Sequence, residues 1–467
     1  MHISSLYGDY SCGSFGDNAK EFIDFLSDCG FSLWQVLPFN ISDDHNSPYK
    51  SYSSFSGNPY FVDLQTLYKN GLLTGEEILS AKQNSPWLCE FKRLSEERFS
   101  LLKKAALRVA DRTEILNFIE NNKNIASFCE FMALMEVNGN KEWTEWTKAE
   151  CDNNTLFAWQ FIQYEFFRQW KEVKNYANAK GIKIIGDIPI YVSHESSDVR
   201  SNKDAFLLDK DGRPTHVAGV PPDYFCEDGQ LWGNPLYNWK QMKIDGFTWW
   251  RDRIKHMSTM FDMVRIDHFR GIESYWSIPA DAKTAKEGKW VKGPGLSLIK
   301  AIKEAAGNME IIAEDLGDIT PDVEKLVTSS GFPGMRVFQF GFISDCDSIH
   351  MPHNYPKNCI SYTGTHDNNT LLGYLWELDD TTRQRMLTYC RHKDDWKSGC
   401  ESIIKTMFAC HSDTVIMPIQ DILGFGADTR MNTPGKAENN WAYRITKDQL
   451  DSIDRTYWKI LNKTYYR

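Results

Sequence analysis

Acidic side chains at the ends of short apolar runs are the first candidates for chemistry in this chain. Asp187, Asp267 and Glu314 each lie at or just past the end of such a run, and Asp367 follows another by a few residues. Two carboxyl groups held in different protonation states can act on one bond, one as nucleophile and the other as general acid. In MVRID (263–267), strand alternation puts Arg265 on the face of Asp267 and turns Val264 and Ile266 the other way. An inward Arg-Asp pair at a strand end is either an ion pair that fixes the layers of a barrel or part of an active site, and composition leaves both open. Glu314 closes the apolar run EIIA, surroundings that can raise a carboxyl pKa as a general acid at neutral pH requires. In YTGTHDNNT (362–370), Gly364 permits a tight strand exit before His366 and Asp367, which suits an ordinary turn or a polar site.

These residues can meet only if their runs are strands of one sheet. Seven short apolar runs read as strands: 32–38, 182–188, 263–267, 310–314, 336–340, 359–363 and 415–418. Helical periodicity between them is the pattern of β/α units and a parallel sheet. In a (β/α)8 barrel the C-terminal strand ends converge on one rim, which would gather acids far apart in sequence. The predicted fold is therefore α/β, a (β/α)8 barrel with inserted helical and loop-rich subdomains. Residues 1–63 begin the barrel, 64–154 form a mainly helical insertion, 155–192 return to the barrel, 193–250 form loops and hairpins over the site, and 251–467 complete it. Thr74-Gly75-Glu76-Glu77 reads as a helix start inside the first insertion. Asp211-Gly212 and Asp228-Gly229 read as turns inside the second.

Composition narrows the class of function. The 467 residues are 42% hydrophobic and 25% charged, values of a globular chain rather than a disordered or coiled-coil one. A net charge of -10 repels phosphate backbones and anionic membranes, so neither nucleic acid nor a membrane is an expected partner. No apolar run approaches the roughly 18 residues that span a bilayer, and residues 1–10 lack the basic and apolar regions of a signal peptide, so a cytoplasmic chain is expected. Eleven scattered cysteines without a Cys-x-x-Cys pair read as reduced thiols. The 16 Trp, 20 Tyr and 27 Phe are unusual; most are expected in the core, while those on loops suit the flat faces of sugars.

Other motifs lead nowhere. Asp209-Lys210-Asp211-Gly212 lacks the remaining ligands of a calcium loop and reads as a hairpin turn. His350 and His353 flank Pro352 without an acidic partner set, so no metal is expected. No phosphate-binding glycine loop is present.

Longer motifs carry a resemblance over nearly the whole chain. WQVLP (34–38), SPYKSYS (47–53), GDIPIYV (186–192), AGVPPDYF (218–225), GQLWGNPLY (229–237), VRIDHFRG (264–271), AEDLG (313–317) and YTGTHDNNT occur in one order. Together they resemble the 4-α-glucanotransferases, also called amylomaltases or disproportionating enzymes. The resemblance implies Asp267 as nucleophile, Glu314 as acid/base and Asp367 as transition-state stabiliser, with Arg265 and His366 beside them. It also implies sugar contacts from Tyr49, Asp187, Trp232 and Asn234, and a mobile aromatic loop at Tyr224 and Phe225. The implied substrates are α-1,4-glucans and maltooligosaccharides, with glucose as acceptor and no cofactor. An α-glucan hydrolase with the same acids, or a noncatalytic glucan-binding barrel, are the alternatives. Two departures stand out. Relatives carry an apolar strand ahead of the segment matching residues 2–6, so strand 1 is expected to be shortened or missing, or the true start lies upstream. Asp43, Asp44, His45 and Asn46 stand where relatives place an aromatic residue of a secondary glucan site, so long-glucan binding there is expected to be weak or lost.

Overall fold

A computed structural model describes residues 1–42, 46–222, 227–344, 346–393, 396–436 and 438–467. In chain order its strands are β1 (Leu33–Gln35), β2 (Lys183–Pro189), β3 (His216–Val220), β4 (Gln230–Pro235), β5 (Met263–Asp267), β6 (Ser274–Pro279), β7 (Lys289–Lys292), β8 (Glu310–Ala313), β9 (Gly334–Val337), β10 (Cys359–Tyr362) and β11 (Thr414–Ile416). Each of the seven runs predicted as strands overlaps one of the parallel strands β1, β2, β5, β8, β9, β10 and β11, although β9 begins two residues and β11 one residue earlier than predicted, and β2 ends one residue later. They pair in the order β1-β2-β5-β8 and β9-β10-β11. The Ala313 N–H donates to Pro333 O across the seam between β8 and β9.

Alternation along these strands separates two apolar layers. Ile185, Met263, Ile312, Met335, Val337, Ile360 and Tyr362 pack together inside the barrel. Val264 and Ile266 are fully buried in the larger core shared with the surrounding helices. Between β11 and β1, a cavity of about 160 Å³ is lined by residues that include Met1, Leu33, Gln35, Thr414 and Ile416. Met1 sits at its edge, its ammonium donating to Gln35 O, and among the described residues no strand lies in that gap.

One close approach explains a glycine of the GDIPIYV motif. A Cβ at Gly186 would lie 2.3 Å from the ring of Phe261, which also packs edge-on against Phe39 and against Trp170. Gly186→Ala is therefore expected to cost about 1–3 kcal/mol by overpacking, seen as a lower midpoint in urea unfolding. An unchanged midpoint would show that the ring gives way freely.

Residues 64–154 contain five helices and the start of a sixth, Asn153–Ala179, which runs on from the insertion to the barrel wall. Thr74 closes a capping box with Glu77, and Asp152 caps the long helix by accepting from Thr155 N at 2.8 Å. The second insertion is more regular than the turns suggested. β3 and β4 form a hairpin around Gly229, and β6 and β7, from beyond residue 250, extend it to an antiparallel sheet of order β4-β3-β6-β7. The Asp209–Gly212 stretch is a turn in which Asp209 Oδ1 accepts from the backbone of Asp211 and Arg213. No helix among the described residues is long and apolar enough to cross a membrane.

Candidate active site

Register places the charged groups. Asp187 on β2 pairs with Arg265 on β5, while Ile266 on β5 pairs with Ala313 on β8. Asp267 ends β5 and Glu314 directly follows β8, so both carboxylates emerge side by side at the C-terminal rim. Arg265 lies beneath them with 4% of its side chain exposed. Its Nε and Nη2 reach Asp187 Oδ2 at 2.9 and 2.7 Å, and Nη2 also reaches Asp267 Oδ1 at 2.9 Å. The Tyr49 hydroxyl donates to Asp187 Oδ2 at 2.8 Å and accepts from Arg265 at 3.1 Å. A guanidinium shared by two carboxylates is held by both, and losing one partner of a buried pair costs about 3–5 kcal/mol. Asp187 is 1% exposed, and its Oδ1 makes no hydrogen bond. The arrangement thus combines the buried ion pair and the polar site that the sequence left as alternatives.

Glu314 is fixed by backbone donors. Its Oε2 accepts from His268 N at 2.7 Å and its Oε1 from Leu316 N at 3.1 Å. His268 itself turns the chain there with a left-handed backbone, φ 53°. Burial and the nearby Asp267 charge push the Glu314 carboxyl well above the usual carboxylate range, with Arg265 and the two N–H groups opposing. Burial also raises Asp267, against the lowering pull of Arg265. Both carboxyls are thus raised, and Arg265 bonds directly to Asp267 but not to Glu314.

The third acid stands on the loop after β10. Asp367 Oδ1 accepts from Asn432 Nδ2 at 2.6 Å, its carbonyl accepts from Arg430 at 2.5 Å, and Asn432 N donates to His366 O at 3.1 Å. The His366 ring stacks on Tyr49 at 5.2 Å and 15°, linking this loop to the Arg265 network. Asp421, buried beneath, accepts from Thr363 Oγ1 at 2.7 Å and Leu371 N at 2.8 Å, which pins both ends of the loop. Arg430, Asn432 and Asp421 were not singled out in the sequence; they lie 50 to 65 residues beyond their partners. Trp232 meets His268 edge-on at 4.9 Å, and Asn234 donates to Val192 O at 2.9 Å. Tyr224 and Phe225 lie outside the described residues, as do Asp43, Asp44 and His45. Among the described residues no group of His, Cys, Asp or Glu is arranged to hold a metal ion.

A parallel barrel that carries acids at its C-terminal rim defines the class as a barrel enzyme, and comparison with known proteins makes it specific. The pattern of the 4-alpha-glucanotransferase family matches residues 1–450. A 4-alpha-glucanotransferase of Streptococcus pneumoniae is 42% identical over 96% of this chain and 93% of its own length. One from Synechocystis is 39% identical over 100% and 97%. The solved amylomaltase of Streptococcus agalactiae, in complex with acarbose, superposes with a TM-score of 0.95 at 38% identity, covering 100% of this chain and 98% of that one. The chain belongs to the 4-alpha-glucanotransferase family, whose members are transferases of the glycoside hydrolase type.

Proposed function

We propose that the chain transfers α-1,4-glucan segments by double displacement, with Asp267 as nucleophile and Glu314 as acid/base. Glu314 gives its proton to the glycosidic oxygen while an Asp267 oxygen bonds to the anomeric carbon. The C–O bond to the leaving chain breaks, and the configuration at that carbon inverts. An acceptor 4-hydroxyl then attacks the same carbon and expels the Asp267 carboxylate. Its proton passes to Glu314, and the second inversion restores α. Asp367, held by Asn432, takes the 2- and 3-hydroxyls of the distorted sugar, contacts that strengthen as oxocarbenium character grows. Arg265 keeps Asp267 ionised, and Asp187 and Tyr49 keep Arg265 in place. Trp232 shields the intermediate from water, so that an oriented acceptor wins.

The observation that carries this reading is the adjacency of Asp267 and Glu314 at the ends of paired strands, with the acid raised in pKa by burial and then by its neighbour's charge. Acarbose in the Streptococcus agalactiae amylomaltase supports an α-glucan cleft here. Glucose serves as acceptor. Nucleic acid is no partner for so acidic a surface, and the scattered cysteines fit a reducing, cytoplasmic setting. Incubation with maltotriose is the test. A ladder of longer maltooligosaccharides together with glucose is the expected product, whereas only maltose and glucose would mean that water is the acceptor.

A further inference from the structure

Two thiols outside the cleft meet where distant parts of the chain cross. Cys12 and Cys89 are both buried, and a hydrogen bond joins their side chains. The backbone beside them is tied at several points. Glu90 N donates to Ser11 O at 2.9 Å, and Ser11 Oγ donates to Glu90 Oε2 at 2.6 Å. Ser4 O accepts from Gly13 N at 3.1 Å and lies 3.2 Å from Cys89 Sγ, so both cysteine segments converge on one carbonyl. Backbone tied in this way suits the short Cα separation that a disulfide needs, about 4.4–6.8 Å.

The charges around the pair set it apart from an ordinary buried thiol. Arg98 and Arg444 are buried and act on Cys12. Arg98 donates to the carbonyls of Tyr10, Tyr60 and Val62, and Arg444 to those of Leu6 and Gly8. These partners are neutral, and buried cations favour an anion beside them. Burial pushes the Cys12 thiol up, but the hydrogen bond with Cys89 and the charges of Arg444 and Arg98 outweigh it and hold the thiol below its usual value. Burial raises Cys29, Cys129, Cys359, Cys390 and Cys400. The thiolate is the nucleophile, so Cys12 is the reactive sulfur among them. A cavity of about 340 Å³ has Ser80, Leu94, Arg98 and Ser11 in its wall, which admits small solutes as far as the residue next to Cys12.

We propose that Cys12 and Cys89 are a redox-modification site that hydrogen peroxide closes to a disulfide, slowing the enzyme until a dithiol reductant reopens it. The Cys12 thiolate attacks one peroxide oxygen, the O–O bond breaks, and Cys12 sulfenic acid and hydroxide result. The Cys89 sulfur attacks the sulfenic sulfur, the S–S bond forms, and the sulfenic hydroxyl leaves with the Cys89 proton as water. Two thiols and one peroxide thus give one disulfide and two waters. The active site is linked to this change through residues 88 and 89. Cys89 N donates to Ala442 O at 2.7 Å, and Leu88 bridges Tyr443. Beside Ala442, the Trp441 ring packs on Tyr49 at 5.9 Å and on His366 at 5.8 Å. An S–S bond of about 2.05 Å is shorter than any hydrogen-bonded sulfur contact, so closure draws Cys89 toward Cys12 and Ala442 with it. Trp441 then shifts against the two rings that link Arg265 to the Asp367 loop.

The test treats the reduced full-length enzyme with hydrogen peroxide, blocks remaining thiols, and maps its peptides without reduction. A cross-linked peptide joining Cys12 to Cys89 is expected. Glucose release from maltotriose should fall about tenfold or more, the scale of a small misplacement in a catalytic site, and return with dithiothreitol. Glucose is released whether a sugar or water is the acceptor, so the result does not depend on the transfer reading. Cys12→Ser is expected to keep its rate under the same treatment. Cys89→Ser, which lacks the second sulfur, should instead hold Cys12 as a sulfenic acid that dimedone traps. Absence of the Cys12–Cys89 peptide from the oxidised unsubstituted enzyme would overturn the proposal. So would its presence with an unchanged rate, or a Cys12→Ser variant that loses activity as the unsubstituted enzyme does.

Discussion

Asp267→Asn is expected to lower the initial rate of maltotriose disproportionation by on the order of 10⁴-fold or more, as loss of a nucleophile does in enzymes that act through a covalent intermediate. The amide keeps the volume of the carboxylate but cannot form the glycosyl ester. Arg265 would retain both bonds to Asp187 and its bond to Tyr49, so the protein is expected to stay folded, which near-ultraviolet circular dichroism checks. A rate within tenfold of the unsubstituted enzyme would assign the nucleophile elsewhere.

Glu314→Gln is expected to cost about 10²- to 10⁴-fold with maltotriose, the usual scale of general acid catalysis. The glutamine has one oxygen for the two N–H groups that Glu314 now satisfies, those of His268 and Leu316. It also has no proton to give. The first turnover of α-maltotriosyl fluoride, followed as fluoride release, should lose far less, because fluoride leaves without protonation. The pH profile separates this role from a structural one. A group whose pKa is raised stays protonated to higher pH, so the unsubstituted enzyme should lose activity on the alkaline side as Glu314 ionises and on the acid side as Asp267 takes up a proton. The glutamine variant should keep the acid limb and lack the alkaline one. Equal losses with both donors and an unaltered profile would remove Glu314 from the proton-transfer role.

The barrel was legible because each parallel strand is a short apolar run with a polar exit, and the same exits carry Asp267 and Glu314. The antiparallel strands β6 and β7 were not, since SYWSIP breaks its apolar residues with two serines and KWVK lies largely exposed, so neither has the apolar run of a buried strand. Arg265 was placed correctly on the face of Asp267 from period alone, yet its grip on Asp187 depends on register across two strands 78 residues apart. The support of Asp367 is of the same kind. Nothing near Asn432 or Asp421 marks either as a partner of the 363–371 loop, because that proximity is created by the closing of the fold. Local pattern reveals which side chains face inward; it does not reveal which of them clasp one another.

The helix Asn153–Ala179 has a consequence for how the molecule comes apart. At its 27 residues and ~1.5 Å rise per residue it reaches about 40 Å. Gln163 exchanges hydrogen bonds with Gly57, Gln169 accepts from Asp63, and Trp170 donates to Met260, while Phe157, Phe161 and Phe166 stay in the continuous core. One rod therefore serves as a shared spine. Removing the helices of residues 64–154 is therefore expected to strip part of the barrel wall, and the two regions are expected to unfold in one transition.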